Sequence, residues 1–366
     1  MGFIDGLLGH YPRRRLTSQE LIEKEQERHF ALQVRNSLEE QQEEENLQEF
    51  LQRKSYLVDD KSRPNNLNDY IGQNDIKELI KISIEATKIK KSFLPHCLFY
   101  GEAGLGKTTL AYIIARELQA NFILTNGEQF RSEKEVFSVL KKIEDTRLNI
   151  LFIDECNLIK IPELFYPVME NFYFGYVTTT NKVINLPLPP FTLIGATTMP
   201  DKLPTPFLQR FQNRYCLMPY TVEDLTQIIR NYLTRINYYP TTDESLKEIA
   251  LRSRNIARYV INYTRNLLDF CLVEHREFTP ETVKSYFEKE GIDSEGLTKM
   301  DHLYLKVLLN AKNFKAGLAT IIKATGINRR IIEQDIEPYL LRKEMIEIIP
   351  GGRSLRDKNL KEVKTD

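Results

Sequence analysis

The run Gly101-Glu-Ala-Gly-Leu-Gly-Lys107-Thr108-Thr109 constrains this chain more than any other feature. It follows an apolar stretch, Cys97-Leu98-Phe99-Tyr100, that reads as a strand. It precedes Leu110-Ala-Tyr-Ile-Ile-Ala-Arg116, which reads as a helix. A strand, glycine loop and helix at this spacing form a phosphate-binding (Walker A) loop. Glycines permit positive φ, so backbone N–H groups can turn inward around a triphosphate. Lys107 offers a point charge to the β/γ-phosphates, Thr108 a hydroxyl to Mg²⁺, and the helix N-terminus a favourable field for the anion. The expected nucleotide contacts are Gly101, Gly104, Leu105, Gly106, Lys107, Thr108 and Thr109.

A second strand, Ile150-Leu-Phe-Ile-Asp154-Glu155, ends 47 residues beyond Lys107. Four apolar residues carry Asp154 to the strand's C-terminal end, where it can hold Mg²⁺ directly or through water. Glu155 beside it suits the general base that polarises the attacking water. A third strand, Thr192-Leu-Ile-Gly-Ala-Thr197-Thr198, ends in two hydroxyls. Either can orient that water or simply cap the turn. Arg210 follows 13 residues after Thr197, inside Phe207-Leu-Gln-Arg210-Phe211. An arginine there gains meaning only if a neighbouring subunit inserts it toward the γ-phosphate.

Strand-like runs (98–100, 122–125, 150–154, 192–196) alternate with helical stretches from Arg63-Pro64 onward, which predicts an α/β domain over 61–220 with a parallel sheet covered on both faces. Asp and Thr-Pro helix starts over 221–294 predict an all-α lid domain. Helix, short helix, Gly326 turn, helix and a Pro350-Gly-Gly352 hairpin over 295–356 predict a winged helix. Residues 1–60 form a polar extension, read as a long helix that binds a partner or as a solvated tail, and 357–366 form a charged tail. The 366 residues carry no formal net charge, but the charge is uneven. Over 1–62, 9 Lys and Arg face 13 Asp and Glu, a net −4; over 297–366, 14 face 9, a net +5. A basic C-terminal module points weakly to an anionic partner. Cys97, Cys156, Cys216 and Cys271 are far apart without a CxxC, which argues against zinc or a disulfide framework and for small apolar packing. No apolar run reaches the ~18–20 residues that span a bilayer. The expected location is the cytoplasm, with no membrane partner.

In this order the motifs resemble the AAA+ ATPases of the P-loop class, and more narrowly the RuvB family. The match is carried by Arg63-Pro64, Leu67-Asn-Asp-Tyr70-Ile71-Gly72-Gln73, Leu151-Phe-Ile-Asp-Glu155, Tyr166-Pro-Val-Met-Glu170, Leu188-Pro-Pro-Phe-Thr-Leu-Ile-Gly-Ala-Thr-Thr198 and Ile336-Glu-Pro-Tyr-Leu340. The resemblance implies that Tyr70 and Ile71 line the adenine pocket and that Tyr220 lies near the nucleotide. It makes Thr197 or Thr198 sensor 1, Arg258 sensor 2 and Arg210 the trans finger. It further implies ATP and Mg²⁺ as cofactors, a homo-oligomer in the form of a hexameric ring, and branch migration of Holliday junctions on duplex or branched DNA. A RuvA-like junction-binding protein would be the partner. The chain departs from the family at Glu102-Ala103, where two prolines are usual, and at Cys156-Asn157. The hairpin before Pro189 is shorter, the wing reads Pro350-Gly-Gly-Arg353, and residues 1–60 have no counterpart.

Two surfaces follow. Phe172, Tyr173, Phe174, Tyr176, Val183 and Ile184 make an apolar hairpin that either packs on its own sheet or docks a partner, with Tyr173, Phe174 and Tyr176 as the candidate anchors. Arg329, Arg330 and Arg353 are the candidate DNA contacts, and their acidic neighbours favour phosphate over base recognition. A clamp-loader-like or helicase-loader-like switch is the alternative to a DNA motor.

Overall fold

The structure, a computed structural model, describes residues 63–356 apart from 146, 178–182 and 239–241. The N-terminal extension and the C-terminal tail expected above lie outside the described residues. Among the described residues the first elements are α1 (Asn74–Lys90) and then β1 (Cys97–Tyr100). Next come α2 (Lys107–Glu117), β2 (Asn121–Asn126), α3 (Glu133–Leu140) and β3 (Asn149–Asp154). Helix α4 (Phe165–Asn171) leads into the hairpin β4 (Tyr173–Val177) and β5 (Val183–Pro187). Strand β6 (Thr192–Thr197), α5 (Thr205–Gln209) and β7 (Asn213–Cys216) complete this part.

Five strands pair in the order β2-β3-β6-β1-β7, and every pairing is parallel. The central strands are apolar on both faces because both are covered. Alternate residues serve opposite layers. Phe99, Ile150, Phe152 and Ile194 face α2, packing on Leu110, Ile113 and Ile114. Leu98, Leu151, Ile153 and Leu193 face Phe165, Phe207 and Phe211. After β1 the chain crosses toward the β2 edge, whereas after β6 it crosses the other way to β7. The loops leaving these adjacent strands therefore diverge and open a crevice at their C-terminal ends, where such sheets bind ligands. Tyr100 pairs with Thr197, so the glycine loop and the hydroxyl-bearing loop leave at the same level.

The lid is helical: α6 (Val222–Arg235), α7 (Asp243–Arg252), α8 (Ala257–Val273) and α9 (Pro280–Glu290). Thr221 caps α6 in a capping box with Asp224, and the Thr279 side chain accepts from Thr282 N ahead of α9. Leu225, Ile229, Leu246, Val260 and Leu267 join the same apolar cluster as the α2 face of the sheet, so lid and sheet share a core.

The C-terminal part comprises α10 (Lys299–Leu309), β8 (Lys315–Ala316) and α11 (Leu318–Thr325). Helix α12 is an α segment Arg329–Ile331, a π turn Ile332–Ile336 and an α segment Glu337–Arg342. β9 (Ile346–Ile349) and β10 (Gly352–Leu355) follow. The three short strands pair antiparallel, β8-β10-β9, over a separate core built on Tyr304, Leu308, Ile321, Ile332, Tyr339 and Leu340. This is a winged helix. Strands β7 and β8 carried too little apolar periodicity to be read from the sequence. Cys97, Cys156 and Cys271 are buried as expected, but Cys216 is exposed, on a strand at the sheet's edge.

Candidate nucleotide site

The glycine loop leaves β1 and enters α2 with Gly104 at φ 82° and Gly106 at φ 96°, conformations that an L side chain adopts only under strain. A Cβ at Gly104 would also collide with Ile256 and Arg258, and one at Gly106 with the Tyr70 hydroxyl. Lys107 begins α2, largely buried. Its ammonium donates to the carbonyls of Gly101 (2.8 Å) and Glu102 (2.9 Å). Burial pulls its pKa down, while Glu155, Asp154 and Glu102 pull it back up and Arg258 opposes them. Those four charges therefore lie within electrostatic reach of the lysine. Thr108 and Thr109, next in α2, are half-buried.

Two tyrosines support the loop from beneath. Tyr220 Oη donates to Leu105 O (2.9 Å), and the Tyr70 hydroxyl lies 3.0 Å from that of Tyr220. Both rings are buried, and burial raises both phenol pKa values, Tyr220 to about 12, so both stay neutral. Tyr70 thus touches the phosphate loop itself. Half-buried Ile71 lies two residues before Gln73, which clasps Met218 through Nε2 to Met218 O (2.6 Å) and Met218 N to Oε1 (3.1 Å).

Asp154 and Glu155 lie at the end of β3, which is separated from β1 by β6. Glu155 holds a left-handed conformation, φ 44° and ψ 50°, unusual for a non-glycine residue and a common mark of a site that dictates backbone geometry. Gly127 packs so tightly beneath it that a Cβ there would stand 2.2 Å from the Glu155 carbonyl oxygen. The two threonines divide their tasks. Thr197 is fully buried, donates to Asn157 Oδ1 (2.6 Å) and accepts from Met199 N (2.9 Å), so its hydroxyl is engaged. Thr198 Oγ1 instead approaches Glu155 Oε2 at 3.4 Å, which makes it the hydroxyl that shares space with the carboxylate.

Arg258 lies in the first turn of α8, where a cation opposes the helix dipole, and its backbone N–H donates to Gly104 O (3.2 Å). Asn255 binds Tyr220 in both directions: its carbonyl accepts from Tyr220 N (2.9 Å) and its Nδ2 donates to Tyr220 O (2.8 Å). Arg254 and Asn255 are both left-handed, at φ 54° and 63°. Sequence reasoning missed Gly127, Asn255 and the Gln73–Met218 clasp, since each acts through backbone contacts that leave no periodic signal.

Other expected residues stand apart from this cluster. Arg210 lies 4.1 Å over the Tyr166 ring, pairs with Glu170 at 3.0 Å and donates to Pro206 O. Phe174, expected as a docking anchor, is instead fully buried and stacks on Phe137 at 5.5 Å because strand alternation turns it inward. Tyr173 on the opposite face is half-buried, and the side chain of Tyr176 lies outside the described residues. In the winged helix, Arg329 and Arg330 are exposed and lean on Glu333 and Gln334. Arg353, expected as a phosphate contact, folds inward onto buried Glu337, with Nε 2.7 Å from Oε1. The same carboxylate accepts from Tyr304 Oη (3.0 Å), so Arg353 serves the core.

A glycine loop with its lysine, two carboxylates on the next strand but one and an arginine from a helical lid, at the switch point of a parallel sheet, define a P-loop nucleoside triphosphatase. Family models narrow the class. The Holliday junction DNA helicase RuvB P-loop domain matches residues 62–217, and the RuvB C-terminal winged helix domain matches 294–364. The Holliday junction branch migration complex subunit RuvB of Aliarcobacter butzleri is 35% identical over 297 residues, 80% of this chain and 85% of that protein. That of Leuconostoc mesenteroides is 36% identical over 298 residues, 80% and 84% of the two chains. The solved structure of the Thermotoga maritima RuvB Holliday junction branch migration motor is similar at TM-score 0.73 and 31% identity, covering 84% of this chain and 99% of that one. The chain belongs to the RuvB family.

Proposed function

We propose that this protein is an ATP-driven motor that moves duplex DNA and so branch-migrates Holliday junctions in recombination and repair. The observation that carries the reading is the convergence of Lys107, Asp154, Glu155, Thr198 and Arg258 in a chain that also bears a winged helix. Similarity spanning both parts favours a motor over a loader.

In this reading the loop amides and Lys107 take the triphosphate, and Glu155, next to Thr198, polarises the attacking water. Arg258 reads the phosphates from the lid, so nucleotide state is felt by the helical layer. Mg²⁺ fits the donor chemistry: Thr108 and Asp154 are hard oxygen ligands, and the phosphates and waters complete such a shell. Among the described residues no cluster of three or more His, Cys, Asp or Glu could hold a metal ion by itself. The ion would neutralise charge on the phosphates. Arg210, anchored by Tyr166 and Glu170 rather than by its own phosphate loop, suits donation to a neighbouring subunit's site in a hexameric ring. Arg329 and Arg330 offer exposed charge to the DNA backbone. A RuvA-like partner, the helicase-type activity and a cytoplasmic location complete the proposal; no helix of the described residues is long and apolar enough to cross a membrane.

The test is a synthetic four-way junction with one labelled arm, incubated with protein and ATP. Conversion to forked duplexes, lost in Glu155→Gln, supports the motor. ATP hydrolysis indifferent to the junction, with the protein recovered only in a non-ring complex with another protein, would sink it in favour of the loader.

A further inference from the structure

The phosphate loop of this chain contains an acid. Glu102 is the second residue of a cradle whose amides and lysine exist to attract polyphosphate, and an unneutralised carboxylate there works against them. Its partner comes from the far end of the chain. Arg342, the last residue of α12 in the winged helix, forms an ion pair with the Glu102 carboxylate, both side chains lying less than a third exposed. On the other side of the same residue, Lys107 donates to the Glu102 carbonyl at 2.9 Å.

Arg342 is held in place. Its Nη2 donates to Arg254 O (3.1 Å), and the guanidinium lies 5.8 Å from the Tyr339 ring centroid. Arg254 is itself bolted to the winged helix, pairing with fully buried Asp301 and donating to Gly296 O (3.1 Å). The winged helix therefore reaches the phosphate loop by two routes, Arg342 to Glu102 directly and Arg254 through Asn255 to Tyr220.

We infer that Arg342 is a positioning residue of the nucleotide site: by neutralising Glu102 it allows this loop to hold a polyphosphate, and it makes nucleotide affinity depend on how the winged helix is seated. The inference rests on the loop being an ATP site. Coupling of binding free energies is reciprocal, so DNA that shifts the winged helix shifts ATP affinity, and ATP shifts DNA affinity by the same factor.

The experiment is a double-mutant cycle on the full chain. Binding of a non-hydrolysable ATP analogue, ADP and AMP is measured by calorimetry at low salt, with thermal melting as a folding control. Arg342→Ala should weaken the ATP analogue by about three- to tenfold, the range of a partly buried charge pair. The loss should be smaller for ADP, smallest for AMP, reduced at high salt and partly restored by Arg342→Lys. Glu102→Ala should bind at least as tightly as wild type, and adding Arg342→Ala to it should change nothing further. An equal loss for all three nucleotides, or the same loss in the Glu102→Ala background, overturns the inference in favour of a purely structural contact. Failure of wild-type protein to bind the ATP analogue would instead defeat the nucleotide-site reading beneath it.

Discussion

Gly127→Ala should slow ATP hydrolysis while leaving ATP binding nearly intact. The three atoms nearest a Cβ at Gly127 all belong to Glu155 and Cys156, and the Gly127 φ is not in the left-handed region, so alanine meets no intrinsic backbone penalty. The obstacle is local: the new Cβ would stand 2.2 Å from the Glu155 carbonyl oxygen and 3.3 Å from Cys156 Cα, both backbone atoms that cannot rotate away. Restoring ordinary contact requires the Glu155 backbone to retreat by roughly 1 Å, and a displacement of that size at a catalytic group can cost about 10²-fold. Overpacking of this kind costs about 1–3 kcal/mol of stability, so the melting temperature should fall by several degrees without unfolding the protein. Steady-state phosphate release gives kcat, and calorimetry with a non-hydrolysable analogue gives affinity. Glu155→Gln sets the scale, since loss of a general base typically costs 10²–10⁴-fold. A Gly127→Ala enzyme with wild-type kcat, or one whose ATP affinity falls as far as its turnover, would refute the claim that this glycine positions Glu155.

Lys107→Ala should lose ATP binding, whereas Glu155→Gln should retain ATP and hold it unhydrolysed; equal ATP affinity in wild type and Lys107→Ala would remove the basis of the site. Arg210→Ala should bind ATP yet fail to hydrolyse it, and mixing it with Lys107→Ala subunits should recover part of the ATPase if the arginine acts in trans. Absence of recovery in verified mixed oligomers counts against that role. Stability should also fall below about pH 6.5 through His96. This ring accepts from Leu193 N at Nδ1 (2.9 Å) and donates from Nε2 to Met169 O (2.9 Å), and burial lowers its pKa from 6.5. The unfolded chain therefore takes the proton first, so the contribution is present above the unfolded pKa and lost as pH falls toward the folded one. The drop in melting temperature between pH 7.5 and 5.5 should be smaller in His96→Gln; an unchanged drop would clear His96 of the effect.

The nucleotide site was legible because its chemistry is local in sequence. A glycine loop after an apolar strand declares itself within thirteen residues, Cys97 to Thr109, and an Asp-Glu pair after another within six, Ile150 to Glu155. Thr197 and Thr198 could not be separated that way, because what distinguishes them is Asn157, reached only across the turn after β3. Phe174 shows the opposite difficulty. An aromatic-rich hairpin reads equally as a docking surface or as core, and the decision lies in which alternate residues meet Phe137 on α3. Strand β7 was missed because an edge strand of Asn-Arg-Tyr-Cys buries only Tyr215, leaving no hydrophobic run to find.

The winged helix shows why a count of charges does not give a binding surface. Its net positive charge invited Arg329, Arg330 and Arg353 to be grouped as phosphate contacts, yet they stand in different physical situations. Arg329 and Arg330 pair one helical turn along with Glu333 and Gln334 on an exposed face, where water already competes and a phosphate can exchange for the partner at little cost. Arg353 pairs with a carboxylate that is only 5% exposed and that also accepts from buried Tyr304. Turning it outward would strand Glu337 as an uncompensated charge in the core, which is strongly destabilising. The wing offers glycine at 351 and 352, with no side chain to take over. The exposed cations of this set therefore lie at the start of α12, the same helix whose last residue, Arg342, pairs with Glu102 of the phosphate loop, so one helix joins an exposed basic turn to the glycine loop.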